Sequence, residues 1–171
     1  MTEKNVFQNS LTNKIADFLI EIGIAVIAAE LEKETFLPGI LVKDGKLLVD
    51  EAKLTFPGDL LHEAGHLAVA PANLRKSLSD EVILPDFNLG VLETQAIIWS
   101  YAACLHLGID PRIVFHKDGY KGKSESLLFT FSLGVYAGLS GLEENGMAFS
   151  ERKATELGMA PFPQMQKWLR D

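Results

Sequence analysis

Apolar residues near the start of the chain recur at helical spacing. Leu11, Ile15, Leu19, Ile22 and Val26 fall three to four positions apart, so they form one stripe and predict an amphipathic first helix. The overlapping stretch Phe18 to Leu31, FLIEIGIAVIAAEL, has the apolar core and small terminal residues of a secretory signal, but Asp17 and Glu21 interrupt it and the residues before it mix acids with lysines. The helix is therefore the reading adopted. The pattern then changes. GILVKDGKLLVD has two β-rich arms around Asp44-Gly45, a strong two-residue turn signal, and predicts a β-hairpin.

A third pattern follows in PGDLLHEAGHLAVAP. Thr55 is available as N-cap, Pro57 for the first turn, Asp59 for a capping box, and Pro71 to stop the helix. LETQAIIWSYAACLHL predicts a second, largely buried helix ending near Gly108, and Asp110-Pro111 opens a short piece after it. The uncharged run Ser126 to Leu142 comes near the lower limit of about 17 residues for a membrane span. Ser, Thr and three glycines dilute it, so it is read as a buried helix capped by Ser124, with Gly134 and Gly138 spaced to admit another helix. One or two terminal helices are expected near 150 to 170. No linker or internal repeat appears, and 171 residues suit a single domain over 1–171.

Projected at 100° per residue, the third pattern places Leu60, Leu61, Ala64, Leu67 and Ala68 on one broad apolar face and His62 and His66 together on the other. A buried imidazole pair needs hydrogen bonds or a metal. Gly65, costly in a helix interior, points to close approach by another segment. His62-Glu63-Ala64-Gly65-His66 is an HExxH pattern: two histidines one turn apart can reach one metal ion, with Glu63 beside them to handle a proton.

This segment resembles the active-site helix of the zincin superfamily of metallopeptidases, though only about fifteen residues carry the likeness. The resemblance implies His62 and His66 as zinc ligands, Glu63 as general base for a zinc-bound water, and a third protein ligand downstream. The metzincin variant would need glycine and histidine where this chain has Val69 and Ala72, and is excluded. The gluzincin variant needs a glutamate on a following helix, and Glu93, among apolar Val91, Leu92, Ala96, Ile97 and Trp99, is the choice. Thermolysin-like enzymes carry an aspartate four residues after that glutamate to orient a histidine ligand, where this chain has Ile97. Asp59, one turn before His62, is the alternative orienting group, with a helix cap as its competing role.

Asp80, Glu81, Asp86, His106 and His116 are further candidates for the third position, without a motif behind them. His106 suits the end of its helix for dipole reasons and is read as structural. In the loop HKDGYKG, either His116 or Tyr120 is a candidate to stabilise the oxyanion of a tetrahedral intermediate, against the plainer reading of a solvated turn. The resemblance also implies a small antiparallel sheet whose edge strand lies above the metal and holds extended peptide by strand addition. The expected fold is α+β and helix-dominated, with that sheet preceding the HExxH helix.

Composition narrows the function. A formal charge of −7 and a pI near 5.1, without a basic stripe, argue against a nucleic-acid partner. Cys104 stands alone, so no intrachain disulfide forms, and a cytoplasmic protein is expected. No G-x-S-x-G nucleophile motif occurs, which leaves metal-activated water as the attacking group. The leading expectation is a zinc-dependent hydrolase acting on a peptide or protein substrate. The alternatives are a regulatory protein of this type that acts by binding a partner, and a non-catalytic metal-binding module. Two histidines and a carboxylate also suit iron or manganese, and the adjacent Glu63 favours zinc.

Overall fold

The computed structural model describes residues 7–80 and 89–171, and shows an α+β domain in which helices dominate. Glu81 and Asp86 lie outside the described residues. The first helix, α1 (Ser10–Glu21), begins at Asn9, whose side chain accepts from the amides of Leu11 and Thr12. It is shorter than the apolar spacing predicts. Gly23, at a φ of +100°, turns the chain after Ile22, and Val26 falls in a strand, β1 (Val26–Ala28).

The hairpin is present as β2 (Ile40–Lys43) and β3 (Lys46–Val49), antiparallel and joined by Asp44-Gly45 with both φ values positive, as a two-residue turn of this kind requires. β1 adds in parallel to the other side of β3, so the sheet is mixed, in the order β1-β3-β2, rather than antiparallel throughout. Its buried face, formed by Val26, Ile40, Val42, Leu47 and Val49, joins the core that α1 and α2 (Asp59–Val69) share.

α2 carries the apolar face expected of it: Leu60, Leu61, Ala64, Leu67 and Ala68 are all essentially inaccessible. Its start differs from the expectation. The N-cap is Gly58, which supplies no side-chain cap, so neither Thr55 nor a capping box forms. Gly58 is there for another reason: a Cβ on it would lie 2.1 Å from the carbonyl oxygen of Ile113. Ala70 ends the helix just before Pro71, and a one-turn helix α3 (Ala72–Arg75) follows.

α4 (Leu89–Leu107) is apolar on all sides and lies against α2, burying Ala96, Ile98, Trp99, Ala102, Ala103 and Cys104. Gly65 is the point of contact: a Cβ there would sit 2.8 Å from the Ala96 carbonyl oxygen and 3.2 Å from its Cα. Backbone therefore packs on backbone, which brings the two helices closer than side chains would allow.

The run from Ser126 to Leu142 is not one helix. It forms α5 (Ser124–Ser132) and α6 (Leu139–Glu144), separated where Gly134 and Gly138 take positive φ. Ser124 opens α5 as a helical residue rather than its cap, and donates to the carbonyl of His116. Of the two glycines, Gly138 touches α4, at Thr94 and Gln95, whereas Gly134 faces open space. The run is also partly exposed, at Phe129, Leu133 and Val135. Among the described residues, no helix is long and apolar enough to cross a membrane.

A single terminal helix, α7 (Glu151–Leu157), precedes an irregular tail that docks behind α2 and α4. There Trp168 meets the rings of Phe18, Trp99 and His106, Trp99 Nε1 donates to its carbonyl at 2.9 Å, and the Arg170 amide donates to Ala68. His106 thus packs in an aromatic cluster on the side of α4 away from Glu93.

Replacing Gly65 by alanine sets better helix propensity against this contact. Because the obstructing atoms belong to backbone, overpacking prevails, and Gly65→Ala is expected to lower stability by about 1–3 kcal/mol. Denaturant unfolding measures it; equal or higher stability would mean that the helices are not held this close.

Candidate metal centre

α2 and α4 together bring the three ligand candidates to one point. His62 and His66 lie one turn apart on the face of α2 opposite its core residues, with their rings edge to face and their Nε2 atoms 3.2 Å apart. Glu93 stands one turn before Ala96, the residue pressed against Gly65, so the close helix contact delivers its carboxylate to the histidines. Glu93 Oε2 lies 3.1 Å from His66 Nε2 and Oε1 4.0 Å from His62 Nε2. Donor atoms of all three fall within 4.8 Å of one another. Two imidazole nitrogens and one carboxylate are the donor set of three-ligand catalytic zinc sites, so the residues fit the group the motif implies.

The loop between α4 and α5 closes the other side. It includes a 3₁₀ turn at Pro111–Ile113, begun by Asp110, whose carboxylate accepts from the Arg112 amide. The passage of Ile113 over Gly58 sets His116 and Tyr120 above the start of α2. His116 Nε2 is 2.9 Å from Asp59 Oδ1, and its ring stacks on Phe56 at 3.8 Å. Asp59, buried at the helix start, therefore orients His116 and not His62. His116 Nδ1 is buried without a hydrogen-bond partner.

Tyr120 takes the position behind His62. Its hydroxyl is 2.9 Å from His62 Nδ1. Where Nδ1 carries the His62 proton, it donates to the Tyr120 oxygen and leaves Nε2 with a bare lone pair facing Glu93 and His66, the tautomer that can ligate a metal. The Tyr120 hydroxyl is thus engaged on the far side of the His62 ring.

Compared with protein-family models, curated proteins and solved structures, the chain matches none.

Burial and charge set the protonation states. Burial, helped by the neighbouring His66, drives the His62 pKa down to about 4, so this imidazole is neutral at neutral pH. Burial also lowers His66, but its hydrogen bond to Glu93 and the charges of Glu63, Glu93 and Asp80 outweigh that and leave it raised. The same hydrogen bond holds Glu93 below the usual carboxylate range. Glu63 moves the other way: burial first, then repulsion from Asp80, Asp59 and Glu93, push it up to about 7 against the pull of His66.

A cleft of about 440 Å³ opens onto the centre. His62, Glu93, Asp59, His116 and Tyr120 line its floor, and Phe36, Leu37, Pro38 and Phe56 form one wall. The wall carries no sequence signal. The Asp59–His116 and Tyr120–His62 pairs join positions 57 and 58 residues apart, beyond the reach of any spacing rule.

Two outcomes follow. Removing the Tyr120 hydroxyl in Tyr120→Phe frees His62 to rotate and change tautomer, and is expected to weaken zinc affinity about 10- to 100-fold, read by competition with a chromogenic chelator. In chelator-treated protein, Glu63 carries a raised native pKa, so the native state binds the extra proton and stability falls as pH rises from about 4.5 to about 7. Glu63→Gln removes that cost: a gain of about 3 kcal/mol is expected at pH 8 and none at pH 4. Denaturant melts at the two pH values test it, and a gain equal at both would contradict burial of the charge as its source.

Proposed function

We propose that the protein is a zinc-dependent peptidase. The observation that carries this reading is the convergence of His62, His66 and Glu93 donor atoms within 4.8 Å, with Glu63 next in sequence to His62, and with His62 and Glu93 lining an open cleft. His62, His66 and Glu93 would hold the metal. Bound there, zinc supplies Lewis acidity, which lowers the pKa of a water from 15.7 to about 7 and polarises a substrate carbonyl.

The remaining work falls to this chain's side chains. Glu63, next to His62 on α2, would take a proton from the attacking water and return it to the leaving amine. The Tyr120 hydroxyl, 2.9 Å from His62 Nδ1, holds that ring in place. Of the two residues considered for the oxyanion, Tyr120 is committed to His62, while His116 gives Nε2 to Asp59 and buries Nδ1, so neither is assigned that part. The acidic balance of the chain and its one buried cysteine favour a peptide or protein substrate over nucleic acid, and the cytoplasm as the setting.

The test is elemental analysis of the purified protein together with a proteolysis assay. Wild type is expected to carry about one zinc per chain and Glu93→Ala to lose it. Glu63→Gln is expected to keep zinc while hydrolysis falls about 10²- to 10⁴-fold. Wild type that is metal-free and cannot be reloaded would overturn the reading; zinc retention with undiminished cleavage in Glu63→Gln would overturn the assignment of the base.

A further inference from the structure

The sheet edge beside the cleft has its outward groups occupied. β2 is an edge strand, and by its register with β3 it turns the main-chain groups of Ile40 and Val42 outward. The Ile40 amide donates to Leu37, and the Val42 amide donates to Asp80 Oδ2. Asp80 completes the pair by donating its own amide to the Val42 carbonyl. The contact continues toward the hairpin, with the Gly45 amide donating to Leu78 and the Asp44 amide to Ser79 Oγ. Asp80 thus pairs with Val42 of β2, and Ser79 and Leu78 continue antiparallel along the turn at Asp44-Gly45, where an added peptide strand would begin. The outward N–H groups of β2 are spent, and the strand addition expected from the family resemblance has no donors here.

Recognition then falls to the wall next to the metal centre. Phe36, Leu37, Pro38 and Phe56 line it without a charge, and the two charged residues at the far rim, Asp118 and Lys121, are of opposite sign. The wall itself offers a charged side chain no counter-charge, and the carboxylates elsewhere in the cleft, Glu93 and Asp59, are engaged by His66 and His116. Phe36 is 96% exposed, an aromatic ring held almost wholly in water at the mouth of the cleft. At about 440 Å³ the space is within the range of ligand sites and admits an aromatic side chain with its flanking main chain.

We propose that the protein selects its substrate by a large apolar or aromatic side chain next to the scissile amide, received between Phe36, Leu37, Pro38 and Phe56, rather than by main-chain pairing with the sheet. This rests on the peptidase reading and names its substrate class.

The experiment is calorimetric titration of zinc-loaded protein with N-acetyl amino-acid hydroxamates, which chelate the metal whatever side chain they carry. The phenylalanine and leucine compounds are expected to bind about tenfold or more tightly than the alanine compound, and the lysine and glutamate compounds no better than alanine. In the Phe36→Ser, Leu37→Ser double variant, with zinc content measured to confirm an intact centre, that gap is expected to close. Extending the phenylalanine compound by two alanines should leave its affinity unchanged. A flat series, preference for a charged side chain, or a tenfold or greater gain on extension would overturn the proposal while leaving the peptidase reading standing. Failure of the protein to take up zinc, or to bind the alanine compound, would overturn both.

Discussion

The contact of Gly65 with Ala96 is the constraint on which the centre depends. Helices whose side chains interleave lie about 8–10 Å apart, and a carboxylate on one reaches a histidine on the other only where the gap is short. Here the Ala96 carbonyl occupies the space a Cβ would fill on Gly65. Glu93 and Ala96 are one turn apart on α4, and Gly65 adjoins His66 on α2, so the point of closest backbone approach and the point of ligand convergence are neighbours. Gly58 plays the equivalent part at the helix start, admitting Ile113 and with it the loop that carries His116 and Tyr120. Gly65, inside the helix, is unfavourable there taken alone, whereas Gly58 sits at the N-cap. The cost at Gly65 is offset by what it lets approach.

Electrostatics then favour a cation at the point those contacts create. Glu63 is repelled by Asp80, Asp59 and Glu93 and drawn by His66, while His62 is driven neutral by burial. A carboxyl held up to about 7 and an imidazole lowered to about 4 in adjacent positions of one helix mark a site in which neither charged form is well solvated. A divalent ion among these residues would supply the missing positive charge, lower the cost of ionising Glu63, and use the lone pair that Tyr120 directs inward. The arrangement that is strained without a metal is complementary to one.

Much of this was legible in the sequence where the information is local. HExxH places two histidines and a carboxylate on one helix by helical geometry alone, Asp44-Gly45 fixes a hairpin, and the mid-helix glycine announced a close approach. Glu93 was legible through its place on the next apolar helix, although only the fold shows that it meets the histidines. The misses have physical causes. Ile22 and Val26 continue the helical period of α1, but a positive φ at Gly23 diverts the chain into β1, and periodicity carries no information about which glycine turns. The uncharged run after Ser124 reads as one helix because its glycines look like packing residues, whereas Gly134 and Gly138 instead bend the backbone. Asp59 could be placed at a helix start but not paired with His116, since that pairing depends on a loop brought over Gly58.

The centre is therefore a product of the whole tertiary structure and not of the motif alone. Its ligands come from α2 and α4, its orienting groups from the loop after α4, and its apolar wall from the segment leading into β2. None of these touches another in an isolated helix. The tail behind α2 and α4 completes the arrangement from the opposite side: Trp168 fills the aromatic cluster around Trp99, and the Arg170 amide takes the Ala68 carbonyl exposed at the end of α2. Arg75 links the two, donating to the carbonyls of Leu67 and Ala70 and also to that of Arg170. Four carbonyls at the C-terminal end of α2, those of Leu67, Ala68, Val69 and Ala70, are thus satisfied by Arg75 of α3 and Arg170 of the tail. A helix so tied at its end, pressed at its middle and overlaid at its start has little freedom to move His62 and His66 apart, which a centre of only three protein ligands would require.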